Sequence, residues 1–308
     1  MDSNHSAIEQ DISSTFARIL KYKWVVIIGT LLSAVLSVFI AINQPNLYTA
    51  KSYLVPTNSN EGGGLSKLAG QFGGLASVAG ISLGGNDGND IDAALEFMKS
   101  RGFLHTFIEK RALLPEILAL ELWDQQTNTY IYDLEQYNPE TKTWVRKAQP
   151  GKSVIPTPWE GYIALTKSID ALYMKKKGLV EIKVTTVSPE LSVKILQWLI
   201  EDVNEFWRKK DKDEAEEAIN YLKDRASETS IAELQTVFYE LIAEQTRSKL
   251  LSSIGDYHLL KPLSPIILPE EKSGPSRAII CLGITLLGGL FSLVITFVLA
   301  LSSRAKGQ

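Results

Sequence analysis

Two uncharged apolar segments constrain this chain more than any other feature of its sequence. Trp24 to Ile42 and Ala278 to Leu301 contain no charged residue. At about 1.5 Å per residue, helices of about 19 and 24 residues extend about 29 and 36 Å, and each can cross a hydrocarbon core of roughly 30 Å. We therefore predict two transmembrane helices that flank one large extramembrane segment.

The first segment has a competing interpretation as a signal peptide. Its apolar run is longer than the usual h-region of about 7–15 residues, and Asn43-Gln44-Pro45 lacks a small-x-small cleavage pattern. These observations favour an uncleaved anchor. The basic residues near the two segments lie outside them: Arg18, Lys21 and Lys23 before the first, and Arg304 and Lys306 after the second. The positive-inside rule therefore predicts that both ends are cytoplasmic.

In a bacterium this topology predicts an inner-membrane protein whose main domain is periplasmic. The predicted parts are a cytoplasmic tail (1–22), a first span (23–43), a periplasmic domain (44–276), a second span (277–301) and a second cytoplasmic tail (302–308). A domain of this size can bury its own core. The single cysteine, Cys281, lies in the second span, so the domain contains no disulfide bond.

The domain between the spans reads as a mixture of helices and strands. We predict a strand at 48–55, a helix at 90–111, a hairpin within 129–147, a helix at 158–172 and a strand at 179–187. The Gly-rich stretch 61–88 is compatible with a flexible loop or with a loose helix that packs closely on a neighbour. The predicted fold class is an α+β membrane protein with a mixed α/β base.

A very long helix is predicted to protrude from that base. Ser188 and Pro189 are favourable N-cap and N1 residues, and neither proline nor glycine follows until Gly255. A continuous helix over 189–254 has about 66 residues and is roughly 99 Å long. An apolar seam follows it, including Leu222, Leu234, Val237 and Leu241. The alternative is two helices with a break near Lys210 or near Thr229-Ser230.

The chain returns to the second span through the proline-rich stretch 261–276. Its prolines favour a stiff, extended conformation. The junction residues that we single out here are Pro265, Pro269, Pro275 and Arg277.

Both predicted spans carry a face of small residues. In the first span the face consists of Gly29, Ser33, Ser37 and Ala41. In the second it includes Thr285, Gly288, Gly289 and Ser292, together with Cys281 and Thr296. Small residues at this spacing allow transmembrane helices to approach closely, so we predict that the spans pack together or take part in oligomerisation. The alternative is small residues that merely face lipid.

We find no pattern that predicts catalysis. Gly151-Lys152-Ser153 ends like a phosphate-binding loop, but Arg146 stands where its first glycine is required. The three histidines are far apart in sequence, so we predict no metal site and no cofactor. The net charge of −3 argues against nucleic acid as a partner. Lys175-Lys176-Lys177 reads as a solvated turn, or alternatively as a site for anionic glycan or pyrophosphate.

The order of these features resembles the Wzz family of polysaccharide co-polymerases, the O-antigen chain-length determinants. The residues that carry the resemblance are Pro265, Pro269, Pro275, Arg277, Gly283 and Gly288-Gly289, with the stretches 233–245 and 73–76. Gly274-Pro275-Ser276-Arg277 stands where the family usually has Ser-Pro-Lys. The resemblance covers essentially the whole chain.

The resemblance implies a protein that is not itself an enzyme. It implies a homo-oligomeric ring that works with the O-antigen polymerase, on lipid-linked polysaccharide carried by undecaprenyl pyrophosphate, to regulate chain length in lipopolysaccharide biosynthesis. Membrane lipids are the remaining expected partner. Two alternatives stay open: a transmembrane adaptor of a capsule or exopolysaccharide system that works with a separate tyrosine kinase, and a periplasmic sensor module.

Overall fold

The computed structural model describes residues 23–57, 87–148, 150–253 and 255–305. The tail 1–22 and most of the Gly-rich stretch, with its 73–76 segment, lie outside the described residues. The chain divides into two compact units, one formed by Met1–Asn46 with Ser273–Gln308 and the other by Leu47–Lys272.

Helices and strands are mixed along the second unit, whereas the regular elements in the described part of the first are all helices. The helices are α1 (Lys23–Ile42), α2 (Asp87–Lys99), α3 (Arg101–Arg111), α4 (Leu114–Leu118), α5 (Pro158–Ser168), α6 (Pro189–Glu228), α7 (Ala232–Ser252) and α8 (Arg277–Ala305). The strands are β1 (Tyr48–Pro56), β2 (Leu120–Asp124), β3 (Thr129–Tyr132), β4 (Tyr137–Asn138), β5 (Thr143–Trp144), β6 (Ile169–Met174), β7 (Leu179–Thr186) and β8 (Leu260–Pro262).

The two apolar helices of the first unit fit a two-span membrane protein. They are α1 and α8, and each contains a segment long and apolar enough to cross a membrane. Most of their large side chains are exposed, as Leu32 and Phe291 illustrate at 64% and 67%. A core helix of a soluble protein would bury such side chains, whereas a membrane-spanning helix exposes them to lipid.

A four-stranded antiparallel sheet forms the base of the second unit, in the order β6-β7-β1-β8. Strand β1 pairs with β7 from Tyr48 opposite Thr186 to Leu54 opposite Val180. The alternation predicted for β7 is present, because Val180, Ile182 and Val184 are all buried. Strand β1 includes Pro56, one residue beyond the predicted end, where the short edge strand β8 pairs with it.

The core of the base lies between this sheet and the helices that cover it. Helix α3 contributes Leu104 and Phe107, and the first turns of α6 contribute Ile195 and Leu199. Ser188 caps α6, since its Oγ accepts a hydrogen bond from the Leu191 amide at 3.4 Å. The sequence signal for this helix start was therefore correct.

Two boundaries predicted for the base are wrong. The predicted helix 90–111 is two helices, because Ser100 interrupts it and its Oγ accepts a hydrogen bond from the Phe103 amide as the cap of α3. The predicted helix 158–172 has the expected capping box at Thr157 and Glu160, but it ends at Ser168. Residues from Ile169 onward pair with β7 instead, so sheet pairing overrides the local helical pattern.

The hairpin predicted within 129–147 is also only partly correct. Its turn joins the short strands β4 and β5, in which Tyr137 pairs with Trp144. Strand β3, however, pairs backwards with β2, where Tyr130 lies opposite Trp123. A turn that ends at Asn128, which has a positive φ of 51°, closes this second hairpin.

The single helix predicted over 189–254 is two helices, α6 and α7. Thr229 leaves the helical conformation with φ −89° and ψ 137°, and Gln235 at the start of α7 donates to its carbonyl oxygen at 2.9 Å. The break occurs at Thr229-Ser230, one of the two positions predicted for the alternative with two helices. The long protruding element is therefore a helical hairpin whose first arm, α6, has 40 residues.

Candidate functional site: the paired spans and the helical hairpin

The small-residue faces of the two spans meet along the contact between α1 and α8. The hydroxyl oxygens of Ser37 and Thr285 lie 3.4 Å apart. A Cβ atom at Gly29 would overlap Oγ of Ser292, and one at Gly288 would overlap Oγ of Ser33. Glycine is therefore required at both positions if the helices keep this separation.

Burial within the first unit follows the same faces. Ser37, Ala41, Ser292 and Thr296 are each at most 6% exposed, whereas the apolar side chains around them face outward. The buried hydroxyls are satisfied by their own helices, as Ser292 shows by donating to the carbonyl oxygen of Gly288 at 2.8 Å. Close packing and satisfied hydroxyls together make this a stable contact in lipid.

A Cβ atom at Gly289 would lie 3.6 Å from Oγ1 of Thr30, an ordinary contact distance, and Thr30 is not among the residues predicted for the face. Thr30 is adjacent to Gly29 and donates to the carbonyl oxygen of Val26 at 2.7 Å. The position of Thr30 next to the small-residue face is the sequence signal that could have identified this residue. The part of these residues in oligomerisation remains a prediction.

Arg277, the first residue of α8, forms hydrogen bonds with the segment that follows α1. Its Nη2 atom donates to the carbonyl oxygen of Gln44 at 3.4 Å and to Oδ1 of Asn46 at 3.3 Å. Pro265, Pro269 and Pro275 lie in a return segment that, beyond β8, has no regular secondary structure apart from an isolated bridge at Gly274. This arrangement brings Arg277 to the other span but does not gather the three prolines into one site.

The apolar seam of the predicted long helix is largely covered by the hairpin itself. Leu222 on α6 and Leu241 on α7 are buried, and Leu234 and Val237 are half-buried. The arms run antiparallel, because Gln235 contacts the carbonyl oxygen of Ala226 whereas Lys249 forms an ion pair with Glu216 at 2.9 Å. The seam therefore has an intramolecular partner along its length.

Several large side chains remain exposed on the hairpin after its arms have packed. They are Tyr221, Ile231, Tyr239 and Leu250, of which Tyr239 and Leu250 are 61% and 62% exposed. Exposed aromatic and aliphatic side chains of this size on a projecting element are suited to contact with another protein.

The base of the hairpin is held by one buried side chain, Asn204 of α6. Its Oδ1 atom accepts hydrogen bonds from the backbone amides of His258, Leu259 and Leu260 at 2.7–3.0 Å. Its Nδ2 atom donates to the carbonyl oxygens of Ile200 and Leu260 at 2.7 and 3.0 Å. Because an unpaired amide in this buried position is costly, Asn204 ties the end of the hairpin to the sheet.

Two further side chains of α6 contact the same returning segment. Arg208 donates to the carbonyl oxygens of Gly255 and Asp256 at 3.0 and 2.8 Å. Asp211 Oδ2 lies 2.6 Å from Nε2 of His258. No local sequence pattern indicates a role for Asn204, Arg208 or Asp211 here, since their partners are about 50 positions away.

An open cleft of about 710 Å³ lies beside the β4–β5 hairpin. Arg146 and Glu160 form a two-pronged ion pair in its wall, with Nη1–Oε2 at 2.5 Å and Nη2–Oε1 at 3.0 Å. The hydrogen bonds from Arg146 lower the pKa of Glu160 to about 2. Both groups are thus occupied with each other, and neither is available as an acid or base at neutral pH.

The remaining candidate patterns occupy turns. Gly151 has a φ of +83°, which suits a tight turn, and Lys152 is exposed beside it. In the basic turn, Lys175 forms an ion pair with Asp92 at 2.7 Å. No cluster of three His, Cys, Asp or Glu side chains occurs among the residues whose structure is described.

The comparisons with known proteins gave matches only among solved structures. No protein family model matches the sequence. No curated protein sequence matches it either. A full-length bacterial polysaccharide co-polymerase is 12% identical, with a TM-score of 0.34, and the match covers 94% of this chain and 96% of that one.

A fragment of WzzB, the polysaccharide co-polymerase from Salmonella Typhimurium, is also 12% identical. Its TM-score is 0.27, and the match covers 74% of this chain and 100% of the fragment. At these scores the likeness carries no argument about individual residues, so the architecture rests on the elements and contacts described above.

Proposed function

We propose that this chain is a homo-oligomeric regulator of polysaccharide chain length, of the polysaccharide co-polymerase kind, and that it is not an enzyme. The observation that carries the proposal is the projecting α6–α7 hairpin, which retains exposed Tyr221, Ile231, Tyr239 and Leu250 after its own seam is covered. A protein that assembles side by side with further copies of itself needs such a surface.

The membrane part supports the same proposal. Two spans packed through Gly29 and Gly288 form a compact helix pair in each subunit. Many such pairs can lie side by side in a bilayer. We place both termini in the cytoplasm and the domain between the spans in the periplasm, on the basis of the basic residues outside the spans.

The proposed partners follow from the sequence resemblance to the Wzz family. They are further copies of the chain, the O-antigen polymerase, lipid-linked polysaccharide on undecaprenyl pyrophosphate, and the surrounding lipids. The cleft beside the β4–β5 hairpin is walled by the Arg146–Glu160 pair, whose charges are mutually satisfied. This is consistent with regulation of another protein's reaction rather than with catalysis.

Deletion of the gene, with and without complementation, tests the proposal. We expect the deletion strain to make polymer with an unregulated length distribution on polysaccharide gels, and complementation to restore a defined length range. Complete loss of polymer on deletion would contradict the proposal and indicate a role in polymerisation or export. An unchanged ladder would contradict it as well.

A further inference from the structure

Outside the two spans, the most exposed large apolar side chains among the described residues are Ile267 and Leu134. They are 78% and 70% exposed. Single exposed apolar side chains are common on folded domains, but each of these two belongs to a larger surface with other exposed apolar groups. Both surfaces lie within the compact unit Leu47–Lys272.

The first surface is residues 263–272, which follow β8 and which we call the return strip. Ile266 packs against the core of the base, so its neighbour Ile267 is held outward. Pro265 and Pro269 restrict the backbone, and the strip therefore loses little conformational freedom when it binds a partner. The exposed side chains of the strip are Leu263, Ser264, Pro265, Ile267, Leu268, Glu270, Glu271 and Lys272.

The second surface is the cleft beside the β4–β5 hairpin. Leu134 and Val145 are exposed apolar side chains in its lining. Ile155 is exposed close by, because Arg146 of the lining donates to the carbonyl oxygen of Val154 at 2.8 Å. With a volume of about 710 Å³, the open cleft has room for several side chains of an extended segment.

The cleft has an excess of positive charge once its internal pairs are taken into account. Its lining contains three groups of each sign: Asp133, Glu135 and Glu160, and Arg146, Lys147 and Lys152. Glu160 is paired with Arg146. Asp133 accepts hydrogen bonds from the Glu135 amide and the Gln136 side chain at 2.9 and 2.7 Å. The two exposed lysines and Glu135 therefore remain to meet a partner, with one positive charge in excess.

The return strip has the opposite excess, because Glu270 and Glu271 stand against Lys272 alone. Opposite charge at the rim of a contact selects the partner and its register, while the apolar side chains at the centre supply most of the affinity. The strip and the cleft thus complement each other in both respects.

The two surfaces lie on opposite sides of the base. The strand order places β6 at one edge of the sheet and β8 at the other. Helix α5, which carries Glu160 of the cleft, packs on β6 and β7 and leads directly into β6. The return strip continues from β8 at the far edge. One chain therefore presents the strip on one side and the cleft on the other, as a head-to-tail contact between copies requires.

We propose that the return strip of one copy binds the β4–β5 cleft of a second copy, with Ile267 packed against Leu134. The two glutamates of the strip then lie near the two lysines of the cleft. Each copy gives its strip to one neighbour and its cleft to another, so the contact can repeat around a ring. The inference rests on the proposed homo-oligomer and names the surfaces of the base that hold it together.

Disulfide cross-linking between differently tagged full-length chains in membranes tests this contact. One chain carries Ile267→Cys and the other Leu134→Cys, both in a Cys281→Ser background. We expect a mixed dimer in several-fold higher yield than from Ile267→Cys with Lys176→Cys, an exposed position in the β6–β7 turn. Two chains that both carry Ile267→Cys should not cross-link, because a head-to-tail contact does not bring two strips together.

Charge reversal tests the same contact without cysteine. Lys147→Glu with Lys152→Glu should lower the oligomeric fraction several-fold in size-exclusion chromatography with light scattering. Glu270→Lys with Glu271→Lys should do the same, and the four changes combined in one chain should restore assembly. All four side chains are exposed, so the fold should tolerate each change.

A mixed dimer no more abundant than the control, from chains that light scattering shows to be oligomeric, would overturn the inference and leave the proposed function standing. Failure of the combined variant to recover would also overturn it, since the two pairs of charges would then not meet. Monomeric parent chains would contradict both the inference and the proposed homo-oligomer.

Discussion

At the scale of single residues, Glu160 acts in two ways. Its side chain caps α5 through the Thr157 amide at 3.3 Å, as the sequence motif predicts. It also accepts two hydrogen bonds from the guanidinium group of Arg146, a contact that the sequence does not indicate. Arg146 further donates to the carbonyl oxygens of Val154 and Ser153. One carboxylate therefore stabilises a helix start and the wall of the cleft.

Glu160→Gln is expected to lower the free energy of unfolding by on the order of 1–2 kcal/mol near neutral pH, because a partly exposed bidentate ion pair is lost. The pKa of Glu160 falls from the ordinary 4.5 to about 2 in the folded chain. Its stabilisation is thus fully present above 4.5 and is lost as the pH falls toward 2. Unfolding in urea, followed by near-ultraviolet circular dichroism at pH 7, 4 and 3, measures the difference.

Glu140→Gln is the matched control, since Glu140 lies exposed in the β4–β5 turn. The control should differ little from the parent at any of the three pH values. If the loss caused by Glu160→Gln were as large at pH 3 as at pH 7, the ion pair would not be its cause.

At the scale of elements, the hairpin of α6 and α7 revises the predicted long helix. The stretch from 190 to 254 lacks glycine and proline, so local propensity alone favours continuity. Thr229 nevertheless adopts an extended conformation, and Gln235 bonds the carbonyl oxygens that the break leaves free. Burial of Leu222 and Leu241 between the arms compensates for the interrupted helix.

Spin labels at Glu216→Cys and Lys249→Cys, in a Cys281→Ser background, distinguish the hairpin from a continuous helix. The side chains of these residues meet in the hairpin at 2.9 Å. We expect a label separation below about 25 Å, whereas 33 positions along one helix would give about 50 Å. Double electron–electron resonance, with labelled chains diluted in unlabelled ones, measures the distance within one subunit.

The pair Lys194→Cys and Glu216→Cys is the control, because both residues belong to α6. Its separation should be about 33 Å in either arrangement. A distance near 50 Å for the first pair, with the control at its expected value, would refute the hairpin.

For the molecule as a whole, the helices nearest the two ends of the sequence, α1 and α8, pack as a pair. Gly29 and Gly288 permit the approach of α1 and α8, and Arg277 bonds the segment that leaves α1. Gly283 on the same helix as Gly288 faces open space instead. The chain therefore contains its own matched pair of glycines for testing whether span packing matters.

Gly288→Leu should separate the spans, because even its Cβ would overlap Ser33. We expect a several-fold lower yield of the disulfide between Ser37→Cys and Thr285→Cys, measured in membranes with Cys281→Ser. The parent hydroxyls are 3.4 Å apart, so the parent should cross-link readily. We also expect a smaller oligomer and an altered polysaccharide profile.

Gly283→Leu should leave cross-linking, oligomer size and polysaccharide profile as in the parent. If Gly288→Leu lowered the cross-linking yield but changed neither oligomer size nor profile, span packing would have no part in assembly. Equal cross-linking in both variants would contradict the packing itself.

Features that depend on local chemistry can be predicted from short stretches of this sequence. The spans follow from uninterrupted apolar composition, the starts of α5 and α6 from capping residues, and the buried face of β7 from strict alternation. The small-residue faces could also be predicted from local sequence, because residues that recur about every four positions lie on one side of a helix.

Features that depend on a choice between distant partners become visible only in the folded domain. Strand β3 pairs with β2 rather than forward, Ile169 leaves its helix for the sheet, and the seam around Leu222 is covered by α7. Asn204 bonds a segment more than 50 positions away. A local pattern states how much apolar or polar surface needs a partner, but which distant residue supplies it is settled by the packing of the whole domain.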